Sequence, residues 1–522
     1  MAGLQQIVRQ RILKEVVGLR KDAPSYGGKL QWKVLIVDDL TLKVVSSCLT
    51  MAQLATEAVS NVEHMHKHRE PNRLAEAIYF VAPNEKSVKA ILEDIKFKFY
   101  SALHVLFTEE CPKPLLNNFL SKVTHSEMIK SCKEVYLSFI PLEKLVYSIS
   151  MKPILPPLET SSSADTDKNV NEFSLKLMDQ MAAKLATLCN SFEGTPSIGF
   201  QKDCSYTDTF AQILRDKLNS IKDSVGTNQS SWNNTSHSHY QVLILDRGFD
   251  LISCLIHDMT YQSMAYDLLG GGKLDVEKNT YNLVDSNASN QAHQLDNSDA
   301  IWEELKHEHI ASVLDKIARK VKDERTKEDQ KGAKEESEAN TKKLKRDVQE
   351  LLTDKKRRRE LKIHSDLAHI LSETIEFKKI KELCEVEQAL ATASRSNGFL
   401  PVDSKQESFT RLILDKDIDE VDKIRLICMH ILSKKGIPEQ KLTNLIGSAQ
   451  NINQANKIIF KSLFHYGCKV SADAETNVTD AKNNISVPLH NRITGRPRNN
   501  PYSERIGTEW TPVLKDILGK II

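Results

Sequence analysis

The chain reads as an α/β fold at its amino end that gives way to a large, mostly helical remainder. Three observations carry this reading. Residues 32–140 alternate apolar runs of strand length with longer stretches of helical spacing, residues from 300 onward keep helical stripes, and polar stretches punctuate the middle. A chain of 522 residues has the length of about three ordinary domains.

The elements follow in order. "MAGLQQIVRQRILKEVVGLRK" is spaced as an amphipathic helix and lacks the apolar stretch of a signal peptide. "WKVLIVDD", "EAIYFVAP", "SALHVLFTEE" and "VYLSFIP" are nearly continuous in apolar residues, as strands covered on both faces must be, so they predict a doubly wound parallel sheet. Between the first two, Val44, Cys48, Ala52, Ala55 and Val59 fit a helical stripe, while the second half of Val44–Met65 fits an edge strand equally well. "SMKPILPPLETSSSADTDKN" reads as a linker, and helices are predicted from Val170 to Cys189 and from Phe210 to Ile221. "GTNQSSWNNTSHSH" marks a second boundary before a strand at Gln241–Leu245, beyond which the chain turns helical.

From Ala300, Ile301, Leu305, Ile310, Val313, Leu314, Ile317 and Val321 keep one helical stripe, and Leu344, Val348, Leu351 and Leu352 resume it. The polar run between them, centred on Gly332, predicts a long helical hairpin with its tip in solvent. "LAHILSETIEFKKIKELCEVEQAL" and "VDKIRLICMHILSKKGIPEQKLTNLIGSAQ" predict short helices with Gly and Pro stops, and a last helix spans Trp510 to Leu518.

Composition narrows the function classes. Lys+Arg 72 against Asp+Glu 70 leaves no global attraction to nucleic acid or anionic lipid. Nine scattered cysteines, without a Cys-x-x-Cys pair, suit buried thiols in a reducing compartment and no metal centre.

Candidate chemistry is thin. Asp38 and Asp39 end the first strand, where a phosphate-accepting domain would hold Mg²⁺, but the later strands end in "VAPNE" and "FTEE", without the acceptor Asp. A phosphate-handling enzyme using this pair is therefore the weaker alternative. "LLGGGKLD" lacks the first Gly and the hydroxyl of a phosphate loop and reads as a flexible loop. His307 and His309, two apart on a predicted helix, point to different faces. "DKKRRRELK", with Lys355 to Lys362, would be the patch of a nucleic-acid binder, but it has no interleaved aromatics and reads as a solvated or partner-facing helix. In "LDRGFD", Asp246, Arg247 and Asp250 flank Gly248. An ion-paired turn at a domain joint, with Gly248 free to take angles that side chains forbid, is expected there rather than an acid and base pair.

"LILDRGFDLISCLIHDMTYQSMAYDLL" resembles the signature of the Sec/Munc (SM) family, and within it the syntaxin-binding, Unc-eighteen type that serves exocytosis. "WKVLIVDDLTLKVVSSCLTM", "KHREP", "VAPNEKSV", "HVLFTEECP", "FIPLE", "AIWEELKHEHIASV", "LCEVEQALA", "DKIRLICMHIL", "GIPEQKLTNLI" and "WTPVLKDIL" continue the resemblance in one order along nearly the whole chain.

The resemblance implies an arch of three domains: an α/β domain over 1–140, a second parallel-sheet α/β domain from 141–240 and 491–522, and a mostly helical domain over 241–490 inserted between them. It also implies a monomeric, non-enzymatic protein without cofactor or metal, cytoplasmic and held peripherally at the plasma membrane through SNAREs. Such a protein clasps a syntaxin-type SNARE and templates the SNARE bundle for vesicle docking and fusion.

By resemblance, Asp38, Lys43, Glu63, Arg69 and Glu70 face the SNARE, and Cys111, Leu116 and Glu134 form a pocket for a syntaxin N-terminal peptide. Val348, Leu351, Leu352 and Lys355 belong to the templating hairpin. Thr50 replaces a usual Lys, Leu116 a usual aromatic and Lys355 a usual Pro. The family continues beyond "WTPVLKDIL" with a strand, so the second domain is expected to expose an unpaired edge.

Overall fold

The computed structural model describes residues 3–18, 32–151, 172–225, 240–331, 341–393, 403–463, 469–470 and 510–518, less a few short gaps within these spans. The chain forms two compact units, one of Met1–Leu155 and Ser162–Asp246, the other of Arg247–Ile522. The division falls inside the Asp-Arg-Gly-Phe-Asp turn.

In the first unit, α1 (Leu4–Arg11) continues as a wider turn to Val17, and its stripe of Leu4, Val8, Ile12, Val16 and Val17 is buried. The sheet then alternates with helices: β1 (Lys33–Val37), α2 (Asp39–Cys48), α3 (Met51–Ala55), β2 (Val59–His64), β3 (Asn72–Val81), α4 (Glu85–Lys96), β4 (Tyr100–Phe107), α5 (Lys113–Lys122) and β5 (Ile129–Glu134). The five strands are parallel in the order β2-β1-β3-β4-β5. Leu35, Val37, Ile78, Phe80 and Leu106 pack on one face, and Val34, Ile36, Ala77, Tyr79, Val81, Val105 and Phe107 on the other. Two covered faces are why these runs look continuously apolar. Val44–Met65 resolves into two helices and the edge strand β2.

The run "VYLSFIP" is not the last strand of this sheet. That place goes to "IKSCKE", a polar edge strand with alternating exposure. The apolar run continues from it as buried coil, with Val135 and Leu137 N–H donating to the Phe107 and Thr108 carbonyls. It ends in the small antiparallel pair β6 (Ile140–Pro141) and β7 (Tyr147–Ser148). Then come α6 (Glu172–Cys189), β8 (Ser197–Phe200), α7 (Ser205–Val225) and β9 (Gln241–Ile244), with β8 and β9 a parallel pair. Ala182, Ala186, Leu214, Leu218 and Ile221 bury the facing stripes of α6 and α7. The first linker from residue 152 onward and the whole of the second lie outside the described residues.

The second unit begins with α8 (Ile252–Leu255) and α9 (Tyr261–Leu269), then β10 (Leu274–Asp275), β11 (Thr280–Val284) and β12 (Asn290–Gln294). These strands form an antiparallel sheet where only helices and loops were expected. Short polar strands such as "NQAHQ" carry no apolar period, so the sheet rests on its hydrogen-bonded register and on buried Leu274 and Tyr281. The glycine loop is the tight turn into β10, with Gly271 at φ +78.

The stripe from Ala300 breaks into α10 (Ala300–Leu305) and α11 (Ile310–Lys331), followed by α12 (Thr341–Phe377), α13 (Ile380–Ala393), α14 (Asp403–Leu414), α15 (Glu420–Ser433) and α16 (Glu439–Ser448). His307 and His309 thus sit in a turn, not on a helix, and His309 bridges to Thr260. One core joins these helices, from Trp302 and Leu305 through Leu367 and Leu371 to Leu426 and Met429.

Candidate partner-binding surface

The carboxyl edge of the five-stranded sheet carries most of the residues expected to meet a partner. Asp38 ends β1 and caps α2: Oδ1 accepts from Thr41 N–H at 2.9 Å and Oδ2 accepts from Ala82 N–H at 2.7 Å. Thr41 answers by accepting Asp38 N–H at 3.0 Å, completing a capping box. Asp38 is only 7% exposed. Its carboxylate is spent on backbone, so it is neither a partner-facing charge nor an open metal ligand, and its bond to Ala82 ties β1 to the end of β3. Asp39 points outward, 3.0 Å from His64 Nε2. The two carboxylates do not converge.

Arg69 needs the same correction. Its Nη1 donates to Asp94 Oδ2 at 2.7 Å with both side chains under a tenth exposed. Tyr79 OH donates to the same oxygen at 2.6 Å, and Tyr100 OH reaches Glu63 Oε2 at 3.2 Å. Burial works to lower the Arg69 pKa, but the bonded Asp94 carboxylate outweighs it and holds the guanidinium above its ordinary range. Burial, then the Glu63 charge, pushes Tyr100 up to about 12. These hydroxyls stay protonated donors. The sequence offered a charge in "KHREP", whereas its partner Asp94 lies on α4, a pairing no local pattern announces.

Lys43 and Glu70 are exposed, and Glu63 is half-buried. They place both signs of charge on the surface of this unit. Cys111, Leu116 and Glu134 do come together. Cys111 N–H donates to Glu134 Oε1 at 2.8 Å, Tyr136 OH donates to Oε2 at 2.6 Å, and Leu116 on α5 packs beside them on the sheet core. Burial, then the Glu134 and Cys132 charges, pushes the Cys111 thiol up to about 11. It is a packing residue, not a nucleophile.

In the Asp-Arg-Gly-Phe-Asp turn the expected ion pair is not made: among the described residues Arg247 has no carboxylate partner. Arg247–Asp250 forms one turn of 3-10 helix, and Asp250 does the closing. Its carboxylate accepts from Ser253 N–H at 3.1 Å, Ser253 Oγ at 2.7 Å and Val513 N–H at 3.1 Å. Trp510 Nε1 donates to Ser253 Oγ at 3.0 Å, so "WTPV" is tied to this turn.

The hairpin is built from α11 and α12. Glu324 holds Arg357 and Arg358, and Lys356 lies 3.4 Å from Glu360. Three cations of the Lys355–Lys362 run thus have carboxylate partners on α11 and α12 while staying partly exposed. Lys355 is exposed, and α12 passes it without a break over 37 residues. Val348, Leu351 and Leu352 lie on α12, with side chains outside the described residues, and Gly332, expected at the tip, is also outside them.

Two buried polar clusters of the second unit escaped the sequence reading. His257 Nδ1 lies 2.8 Å from Glu387 Oε1, its N–H donates to Oε2 at 2.9 Å, and Cys384 beside them lies 3.6 Å from Met259 Sδ. His257, Cys384 and Glu387 could surround an ion, but each is already satisfied by a neighbour. Asp299 caps α10 through Ile301 and Trp302 N–H, and its Oδ2 lies 2.7 Å from His293 Nε2 and 3.0 Å from His364 Nε2. The remaining nitrogen of His364 takes the Tyr261 hydroxyl at 2.8 Å. Burial alone would raise the Asp299 pKa, yet its hydrogen bonds to the two imidazoles hold it well below the usual carboxylate range. An Asp directly before "AIWEEL" was the available signal, a helix cap.

The described helices include none long and apolar enough to cross a membrane. A model of the Sec1 family matches residues 33–522. The chain is similar to "Protein transport protein sec1" of Dictyostelium discoideum, 28% identical over all of this chain and 82% of that one. It is 29% identical to "SNARE-interacting protein KEULE" of Arabidopsis thaliana over 74% of this chain, and spans 59% of that protein's length. Among solved structures, the Unc18–syntaxin 1 complex from Monosiga brevicollis has a chain that matches with a TM-score of 0.76 at 22% identity, covering 100% of this chain and 86% of that one. The SM protein Vps45 in complex with the Qa SNARE Tlg2 matches at 0.77 and 18%, covering 99% and 86%. The fold is thus that of the Sec/Munc proteins, and the chain belongs to the Sec1 family.

Proposed function

We propose that this chain is a non-enzymatic, cytoplasmic binder of a syntaxin-type SNARE that promotes vesicle docking and fusion in exocytosis and is held at the plasma membrane through its SNARE. The observation that carries the reading is the match over essentially the whole chain to proteins solved with a syntaxin or a Qa SNARE. The exposed Lys43 and Glu70 supply both signs of charge for a mixed-charge helical partner. Cys111, Leu116 and Glu134, which pack together, would form the site for an N-terminal peptide. The three-domain division at 1–140, 141–240 with 491–522, and 241–490 is part of the proposal, as is the templating role of the α11–α12 hairpin.

Pull-down of the full chain against the cytoplasmic parts of several syntaxins tests it. Binding to at least one is expected, weakened about tenfold by Lys43→Glu with Glu70→Lys, a loss of about 1.4 kcal/mol at the charged rim. Failure to retain any syntaxin would sink the reading. The hairpin is tested separately. Lys355→Pro would remove a backbone N–H and kink α12, so it should slow SNARE assembly in a reconstituted assay while leaving syntaxin capture intact.

A further inference from the structure

A parallel α/β sheet gathers the amino ends of its strands and the carboxyl ends of its helices on one edge, opposite the edge that holds Asp38 and Asp39. Large apolar side chains stand out on that edge. Leu74 is 89% exposed, Phe97 58% and Trp32 48%. Among them lie Arg73 at the start of β3, Lys96 and Lys98 at the end of α4, Lys122 at the end of α5 and Lys130 at the start of β5, all exposed. The acidic residues of this edge among the described residues are the exposed Glu70 just before β3, Glu93 in the last turn of α4 and Glu127, with Glu57 half-buried, so the five cations outnumber the carboxylates only narrowly and the positive charge is concentrated where Arg73, Lys96 and Lys98 line one recess.

The pieces are held together by backbone. Asn72 N–H donates to the Phe99 carbonyl at 2.8 Å, and Ser101 Oγ donates to the Ala75 carbonyl at 2.8 Å, which sets Arg73 and Leu74 beside the Phe97–Lys98 turn. Lys98 takes the left-handed conformation, φ +51, that ends α4. Lys96 Nζ lies 5.5 Å from the Phe97 ring centroid. A recess of about 500 Å³ opens between Arg73, Lys96, Lys98 and Tyr100.

We infer that this amino edge of the sheet is a docking surface for an anionic phospholipid membrane, with Phe97 and Leu74 entering the headgroup layer and the surrounding cations lying on its phosphates and carboxylates. Four of the five cations are lysines, compact charges on flexible stems that suit a diffuse anionic surface, whereas a defined acidic peptide favours the fixed fork of arginine. Isolated apolar side chains ringed by cations match an interface whose depth runs from charged to apolar over a few ångströms, and lysine stems can lie along the apolar boundary with the ammonium in water. Each cation near an anionic leaflet contributes modestly, and the attraction decays within a Debye length. The surface would act in parallel with a SNARE partner and does not depend on that reading.

Vesicle co-flotation of the full chain tests it, with no SNARE present, on phosphatidylcholine vesicles and on phosphatidylcholine vesicles containing phosphatidylserine. The chain should float with the anionic vesicles, leave them as salt rises, and bind the neutral ones weakly. Lys96→Glu with Lys98→Glu should cut partitioning by at least about fivefold per positive charge removed, and Leu74→Ser with Phe97→Ser should weaken binding to anionic vesicles. All four residues are exposed, so circular-dichroism melts of the variants should overlay that of the parent. Equal binding to both vesicle types, binding unchanged in both double variants, or capture of poly-glutamate in place of vesicles would each overturn the assignment.

Discussion

Both units bury a carboxylate inside a polar cluster, Asp94 in the first and Asp299 in the second, and they neutralise it by different chemistry. Asp94 meets the permanently charged guanidinium of Arg69 and the hydroxyl of Tyr79. Asp299 meets two imidazoles and also caps a helix. A guanidinium keeps its charge at every working pH, whereas the Asp299 carboxylate depends on its hydrogen bonds to two imidazoles to stay charged. The first cluster is therefore a fixed brace for the loop that carries Glu70, and the second is a joint among β12, α9, α10 and α12 whose strength depends on solution conditions.

The sharpest way to break the comparison is Asp299→Ala. It strips both imidazoles of their acceptor and removes a cap worth about 1 kcal/mol, for a total of about 3–5 kcal/mol. Hydrogen exchange should rise across α10 and α12 and stay unchanged in the five-stranded sheet. Acid gives the same contrast without mutation. The Asp299 pKa is depressed from 3.8, so its contribution is fully present above that value and is lost as pH falls through the lower folded value. Protection of the α10 amides should collapse in that window and should lose this pH dependence in Asp299→Asn; an identical acid profile in that variant would refute the assignment.

Asp94→Asn comes next. It leaves the buried Arg69 charge without its counter-ion and should cost up to about 3–5 kcal/mol. Exchange should rise in residues 65–71, with syntaxin capture falling if that loop positions Glu70. Arg247→Ala is the smallest. Arg247 has no carboxylate partner among the described residues, so a change within about 0.5 kcal/mol is expected. Asp250→Ala, which removes three bonds, should lower the melting temperature by several degrees.

These contrasts also show where the sequence was legible. The parallel sheet announced itself because strands covered on both faces are continuously apolar, and the helices of the second unit because their buried stripes repeat at helical spacing. The edge strand "IKSCKE" and the antiparallel sheet over 274–294 were not legible, since their residues pair through backbone and carry little apolar pattern. Charge was the least readable property. Asp38, Arg69 and Glu70 look alike in a string of letters, yet the first caps a helix, the second is locked to Asp94 and only the third reaches solvent.

The sequence by itself determined the fold class, the helical character of the second unit and, through long blocks in one order, the family. All of these are encoded by local periodicity and by residues adjacent in the chain. Only the tertiary structure decided which charges are structural, that Asp250 rather than Arg247 closes the unit boundary turn, and that cations from four separate elements share one edge with Leu74 and Phe97. Those properties depend on contacts between residues far apart in sequence, where burial and a partner's distance set the energy and no spacing rule reports either.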